Sequence, residues 1–116
     1  EFDWAEAGPL PRLVELGDLQ GDLHMHTNAT DGKATLEEMC EAARARGLNY
    51  IAITDHSKRV SMANGLNAER LREQWRQIDA LRASFPELEI LKSVEVDILE
   101  KGGLDLDDQV LSEADW

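Results

Sequence analysis

Three short apolar runs, at 22–26, 50–54 and 88–99, are separated by two stretches whose apolar residues recur at helical spacing. That alternation restricts the folds open to the chain. Strand, helix, strand, helix, strand predicts parallel strands with right-handed crossovers, an α/β fold with helices coating the sheet. The first helix is predicted from Thr35, where Thr35 and Glu38 form a capping-box pattern. Leu36, Met39, Cys40 and Ala43 mark its buried stripe, and Gly47 is a stop. The second starts at Asn67, a good N-cap, carries Leu71, Trp75, Ile78 and Leu81 on one stripe, and is ended by Pro86. Residues 88–99 read as a third, partly alternating strand, and 105–114 as a short third helix.

Three strands leave both sheet edges and much apolar surface open. The pattern therefore predicts about three β/α units of a larger barrel, with Asp115-Trp116 falling where a fourth strand should begin. The chain also lacks an initiator Met, which reads as a processed or excised piece, and the open sheet edges predict self-association or partial order. Residues 1–20, with Pro9 and Pro11, read as a lead-in or linker with room for a helical turn over 3–7. A net charge of −12, from 24 acidic and 12 basic residues, argues against a general phosphate-backbone binder and suits divalent cations. No apolar run is long enough to span a bilayer, and no signal sequence opens the chain. The single cysteine, Cys40, excludes an internal disulfide, fits a reducing cytoplasm and lies at core spacing.

Chemistry concentrates where the strands end. His24 and His26 are two apart, so in a strand both imidazoles share a face. His56 closes the second run, Glu95 is lodged between Val94 and Val96 late in the third, and Asp31 lies in the loop after the first. Alone, each has a plainer reading: a half-exposed histidine pair, a turn at Asp31-Gly32, a solvent-facing edge glutamate. The carboxyl ends of parallel strands gather on one rim, however, and His, His and carboxylate converging there is a metal-site pattern. Asp22 shares the parity of the histidines and is expected to accept an imidazole N–H; Asp97 has the same relation to Glu95. Asp55 belongs to the same rim, where the plainer reading is a loop cap. Lys58 and Arg59, in the loop after the second strand, are placed to hold a substrate phosphate or simply to be solvated. There is no phosphate-cradling glycine loop, no Cys pair and no nucleophile elbow, and Trp4, Trp75 and Trp116 are too scattered to stack bases.

Asp-Leu-His-Met-His-Thr at 22–27, Thr-Asp-Gly at 30–32, Ile-Thr-Asp-His at 53–56 and Val-Glu-Val-Asp-Ile at 94–98 resemble, in order, the first motifs of the PHP (polymerase and histidinol phosphatase) domain. Leu-Pro-Arg-Leu-Val-Glu-Leu at 10–16, Asp-His-Ser-Lys-Arg at 55–59 and Ala-Asn-Gly-Leu at 63–66 are most similar to the C-terminal PHP domain of bacterial family X DNA polymerases. The resemblance implies that residues 21–116 are the N-terminal part of a distorted seven-stranded β/α barrel holding two or three divalent ions. Manganese, zinc and iron all suit mixed His and carboxylate ligation. By motif position, His24, His26 and Glu95 would share one ion, with Glu95 bridging to a second, while Asp31 and His56 would belong to a third. The family pattern continues with further histidines and a final Asp-x-His, which this chain does not contain after His56. The implied activity is metal-dependent phosphoester hydrolysis, acting through His24, His26, His56 and Glu95. The implied substrate is a DNA 3′ end, by 3′–5′ exonuclease or 3′-phosphatase chemistry in DNA repair, on a module covalently attached to a polymerase. The 116 residues alone are expected to be weakly active or inactive. Two alternatives stand beside this one: a non-catalytic metal-binding module supporting a polymerase, and a stand-alone small-molecule phosphatase of the histidinol phosphatase type.

Overall fold

A computed structural model describes residues 3, 6, 8 and 11–116. The helical turn expected over 3–7 falls largely outside the described residues. Strands β1 (Gly21–Met25), β2 (Tyr50–Ile53) and β3 (Glu89–Lys92) form one parallel sheet in the order β1-β2-β3. The connections run through helices α1 (Leu36–Ala45) and α2 (Ala68–Leu81), and a short α3 (Asp108–Leu111) follows β3. This is the strand–helix alternation the sequence predicts, in a mixed α/β chain compatible with part of a barrel.

Local signals explain the helix ends. The Thr35 hydroxyl accepts the Glu38 backbone N–H, and Glu38 accepts the Thr35 backbone N–H, which also draws the Glu38 carboxyl below its ordinary pKa. At the other end Gly47 takes φ +71° while Leu48 N–H returns to the Ala43 carbonyl. Asn67 caps α2 by accepting the Arg70 N–H, and a 3-10 turn at Arg82–Ser84 runs the helix out before Pro86.

Beneath the rim lies the core. Ile51, Ile53 and Ile90 of the sheet are fully buried against Leu71, Trp75 and Ile78 of α2 and against Cys40 and Ala43 of α1. Cys40 is a core thiol: burial first, then the nearby Glu37 and Glu41 carboxylates, push its pKa up to about 11.

Two expectations need correction. The third strand ends at Lys92 rather than running to 99, so Glu95 lies past it and is held by an isolated parallel bridge to His56. β1 also carries one extra residue against β2, because Asp22 pairs Ile51 but Met25 pairs Ile53. The bulge breaks the parity linking Asp22 to the histidines. Asp22 Oδ1 instead accepts the His24 backbone N–H at 3.0 Å, satisfying a group that the bulge takes out of the ladder. The last residues dock on the free edge of β3, where Asp115 N–H donates to the Lys92 carbonyl and Asp115 Oδ2 accepts the Lys92 N–H.

Candidate metal centre

Past the strand ends, side chains take over the work of the ladder. The Thr54 hydroxyl accepts the Met25 N–H and donates to the Met25 carbonyl, keeping β1 and β2 in register one step further. Asp55 N–H and C=O lie one step on, and Glu95 N–H donates to the Asp55 carbonyl while Ser57 N–H donates to that of Glu95. This backbone exchange sets His56 and Glu95 side by side. His26 leaves the end of β1 toward them, and its ring stacks on His56 with centroids 4.4 Å apart.

Glu95 Oε2 is the centre of the cluster. It lies 3.1 Å from His24 Nε2, 3.2 Å from His26 Nε2 and 3.5 Å from His56 Nδ1. The two Nε2 atoms are 3.1 Å apart. Asp31 closes the other side, with Oδ2 at 3.3 Å from His56 Nε2 and Oδ1 at 3.6 Å from His26 Nδ1. The structure thus brings together His24, His26, Asp31, His56 and Glu95 in two overlapping sets, His24/His26/Glu95 and His26/Asp31/His56. Gly32 allows Asp31 its place: the loop doubles back on β1 so closely that a Cβ at 32 would sit 2.3 Å from the His26 carbonyl oxygen.

The donor chemistry fits a divalent cation. Among the described residues, the ion-pair partners of Glu95 and Asp31 are all histidines, with no Lys or Arg between them. Three lone-pair-bearing atoms at mutual distances of 3.1–3.2 Å repel unless a proton or cation lies among them. Tetrahedral ligands on bonds of about 2.0 Å have edges of about 3.3 Å, close to that triangle. His26 Nδ1 is buried with no hydrogen-bond partner. A neutral imidazole has one lone pair, so an ion at Nε2 leaves the Nδ1–H to donate toward Asp31.

The other expected residues do different work. Asp55 is fully buried and, among the described residues, hydrogen-bonds to no imidazole. Its Oδ1 accepts the Thr27 N–H at 2.8 Å and the Thr30 hydroxyl, and its Oδ2 accepts the Thr27 hydroxyl at 2.6 Å and Gln74 Nε2 at 2.5 Å. Four donors compensate a charge taken out of water, and they tie the 27–30 loop to β2 and α2. Asp97, beyond the end of β3, faces Arg59 Nε at 3.7 Å rather than a histidine, and its N–H donates to the Ser57 hydroxyl. Arg59 is further anchored through its backbone N–H on buried Asp105. Lys58 is exposed and, among the described residues, has no ion-pair partner. Neither basic residue contacts the histidine cluster.

Sequence reasoning missed Gln74, Thr27, Thr30 and Arg70. Gln74 did leave a signal: Leu71, Gln74, Trp75 and Ile78 make one helical stripe, and a glutamine in that stripe must find a buried partner. Arg70 bridges loops by donating to the carbonyls of Ala29, Asn64 and Gly65. Nothing in its sequence position distinguishes it from Arg72 and Arg76 of the same helix.

The model of the family described as PHP domain matches residues 22–113. The protein named DNA polymerase/3′-5′ exonuclease PolX, from Bacillus subtilis (strain 168), is 54% identical over 103 residues, which is 89% of this chain and 18% of that protein. The chain spans less than a fifth of the length of that relative.

Proposed function

The chain belongs to the PHP domain family, and on that premise we propose that residues 21–116 form the metal-holding first portion of a phosphoesterase domain. Residues 1–20 serve as its lead-in, and the complete domain closes a distorted seven-stranded barrel. One observation carries the reading: a single carboxylate oxygen, Glu95 Oε2, lies within 3.5 Å of three imidazoles delivered by two other strand ends.

In this reading His24, His26 and Glu95 would hold one divalent ion, Glu95 would also contribute to a second, and Asp31 and His56 would belong to a third. Manganese, zinc and iron all suit the donor set. Such ions supply acidity to water and offset charge on phosphoryl oxygens. The remaining residues position and balance. Asp31 Oδ1, 3.6 Å from His26 Nδ1, favours the tautomer that carries its proton there. Asp55 locks the loop between His26 and Asp31. Arg59, braced by Asp97, and the exposed Lys58 meet the phosphate from the β2 loop.

A DNA 3′ end is the proposed substrate, released as nucleotide or phosphate during repair in the cytoplasm. Support comes from the similarity to a protein named as a polymerase and 3′-5′ exonuclease. The same similarity supports a covalently attached polymerase domain as its partner. With a net charge of −12 this chain offers no general basic face, so the grip on DNA away from its 3′ end belongs to the rest of the polypeptide. No helix among the described residues is long and apolar enough to cross a membrane.

The intact polypeptide is expected to release nucleotide or phosphate from DNA 3′ ends when manganese is added. No release with manganese, zinc or iron would overturn the proposal. The 116 residues alone are expected to show little or none, because the further histidines and final Asp-x-His of the family pattern are not in this sequence.

A further inference from the structure

Gln74 comes from a helix, whereas the five clustered groups come from strand ends and the loop after β1. It lies on the buried stripe of α2 and is only 5% exposed. Its Nε2 donates to Asp55 Oδ2 at 2.5 Å and reaches toward Thr27 Oγ1 at 3.4 Å. Its Oε1 is buried with no hydrogen-bond partner. The amide has one workable orientation, since turning it over would press Oε1 against the Asp55 carboxylate, acceptor against acceptor. The side chain thus satisfies Asp55 at the expense of its own oxygen. An apolar side chain in the same slot would avoid that cost.

We propose that Gln74 is a positioning residue for the metal centre, clamping the Asp55 carboxylate in the orientation that sets His26 and Asp31. Three of the four donors to Asp55 are the Thr27 N–H, the Thr27 hydroxyl and the Thr30 hydroxyl, all within the 27–30 segment. That segment joins His26 to Asp31. Only the Gln74 donor comes from the rest of the fold. Without it, Oδ2 keeps one partner, the carboxylate can turn about its Cβ–Cγ bond, and the loop turns with it. His26 adjoins Thr27, Asp31 adjoins Thr30 and His56 adjoins Asp55, so one rotation disturbs three of the five clustered groups. Groups hydrogen-bonded directly to metal ligands contribute about 10–100-fold to metal affinity, and a residue acting one contact further out is expected toward the lower end of that range. The unsatisfied Oε1 is the kind of local cost expected where a site, not stability, dictates the side chain.

This inference rests on the rim being a metal centre, and the test separates the two. In the intact polypeptide, Mn²⁺ affinity is measured by competition with a chromophoric chelator, and Co²⁺ coordination by its visible absorption. Gln74→Met is expected to leave the metal-free melting temperature within about 2 °C of wild type while weakening Mn²⁺ binding about tenfold or more and changing the Co²⁺ spectrum. Gln74→Lys, which restores a donor in reach of Asp55, is expected to recover affinity to within about threefold. Unchanged affinity and spectrum in Gln74→Met would overturn the proposal. So would affinity losses in both variants that track a fall in metal-free melting temperature. If Gln74→Met is insoluble, Gln74→Lys decides: near-wild-type affinity supports the clamp and lost affinity overturns it. A wild-type protein that binds neither ion would instead overturn the metal reading itself.

Discussion

Two polar clusters meet at the carboxyl ends of the strands, and they solve opposite problems. Asp55 is a buried carboxylate whose charge is balanced by four protein donors. The histidine cluster, one residue away along the chain, crowds three imidazoles and two carboxylates together with no Lys or Arg among their described partners. The charge of the first is balanced by the chain itself. The second is balanced only by something added, a proton or a cation, and holds chemistry. Charge in a fold is therefore informative less by its presence than by whether the chain itself supplies the counterpart.

That contrast can be broken by mutation, and the largest effect is expected in the self-sufficient cluster. Asp55→Ala strands the Thr27 N–H, both threonine hydroxyls and the Gln74 amide, and should cost about 3–5 kcal/mol in chemical denaturation. His24→Ala, at an exposed position, should change metal-free stability by less than about 0.5 kcal/mol while weakening metal binding. Equal stability losses in the two variants would erase the distinction. Thr35→Ala, far from either cluster, removes the α1 cap and should cost about 1 kcal/mol without altering metal affinity. A smaller effect on stability is expected through Cys40, whose thiol ionises near 11 when folded against an ordinary 9.0. The folded pKa is raised, so the contribution of the neutral thiol is intact below pH 9 and lost as pH rises through 11. Alkylation of Cys40 at pH 8 should accordingly be slow in the folded protein and rapid in urea; fast labelling of the folded protein would contradict its burial.

The elements were legible in the sequence wherever one local signal decided them. Thr35 with Glu38, Gly47, Asn67 and Pro86 mark helix ends through hydrogen bonds and backbone angles that operate within a few residues. The five clustered groups were legible because strand ends share a rim. What failed was parity carried too far. One extra residue in β1 released Asp22 from the face of the histidines, and the early end of β3 released Asp97 from that of Glu95. A bulge and a strand end depend on pairing with a neighbour, which periodicity within a single strand does not record. Gln74 and Asp55 were obscured for the same reason: each looks ordinary until the fold buries it against the other.

The central claim is that the histidine cluster is balanced by a metal ion, and metal content tests it most directly. The intact polypeptide and its His24→Ala/His26→Ala variant, passed through the same metal-free gel filtration, should be compared by elemental analysis. Divalent metal retained by the wild type and lost from the folded double variant is the predicted result. Equal metal content in the two, or none in either after loading with manganese, zinc or iron, would contradict it.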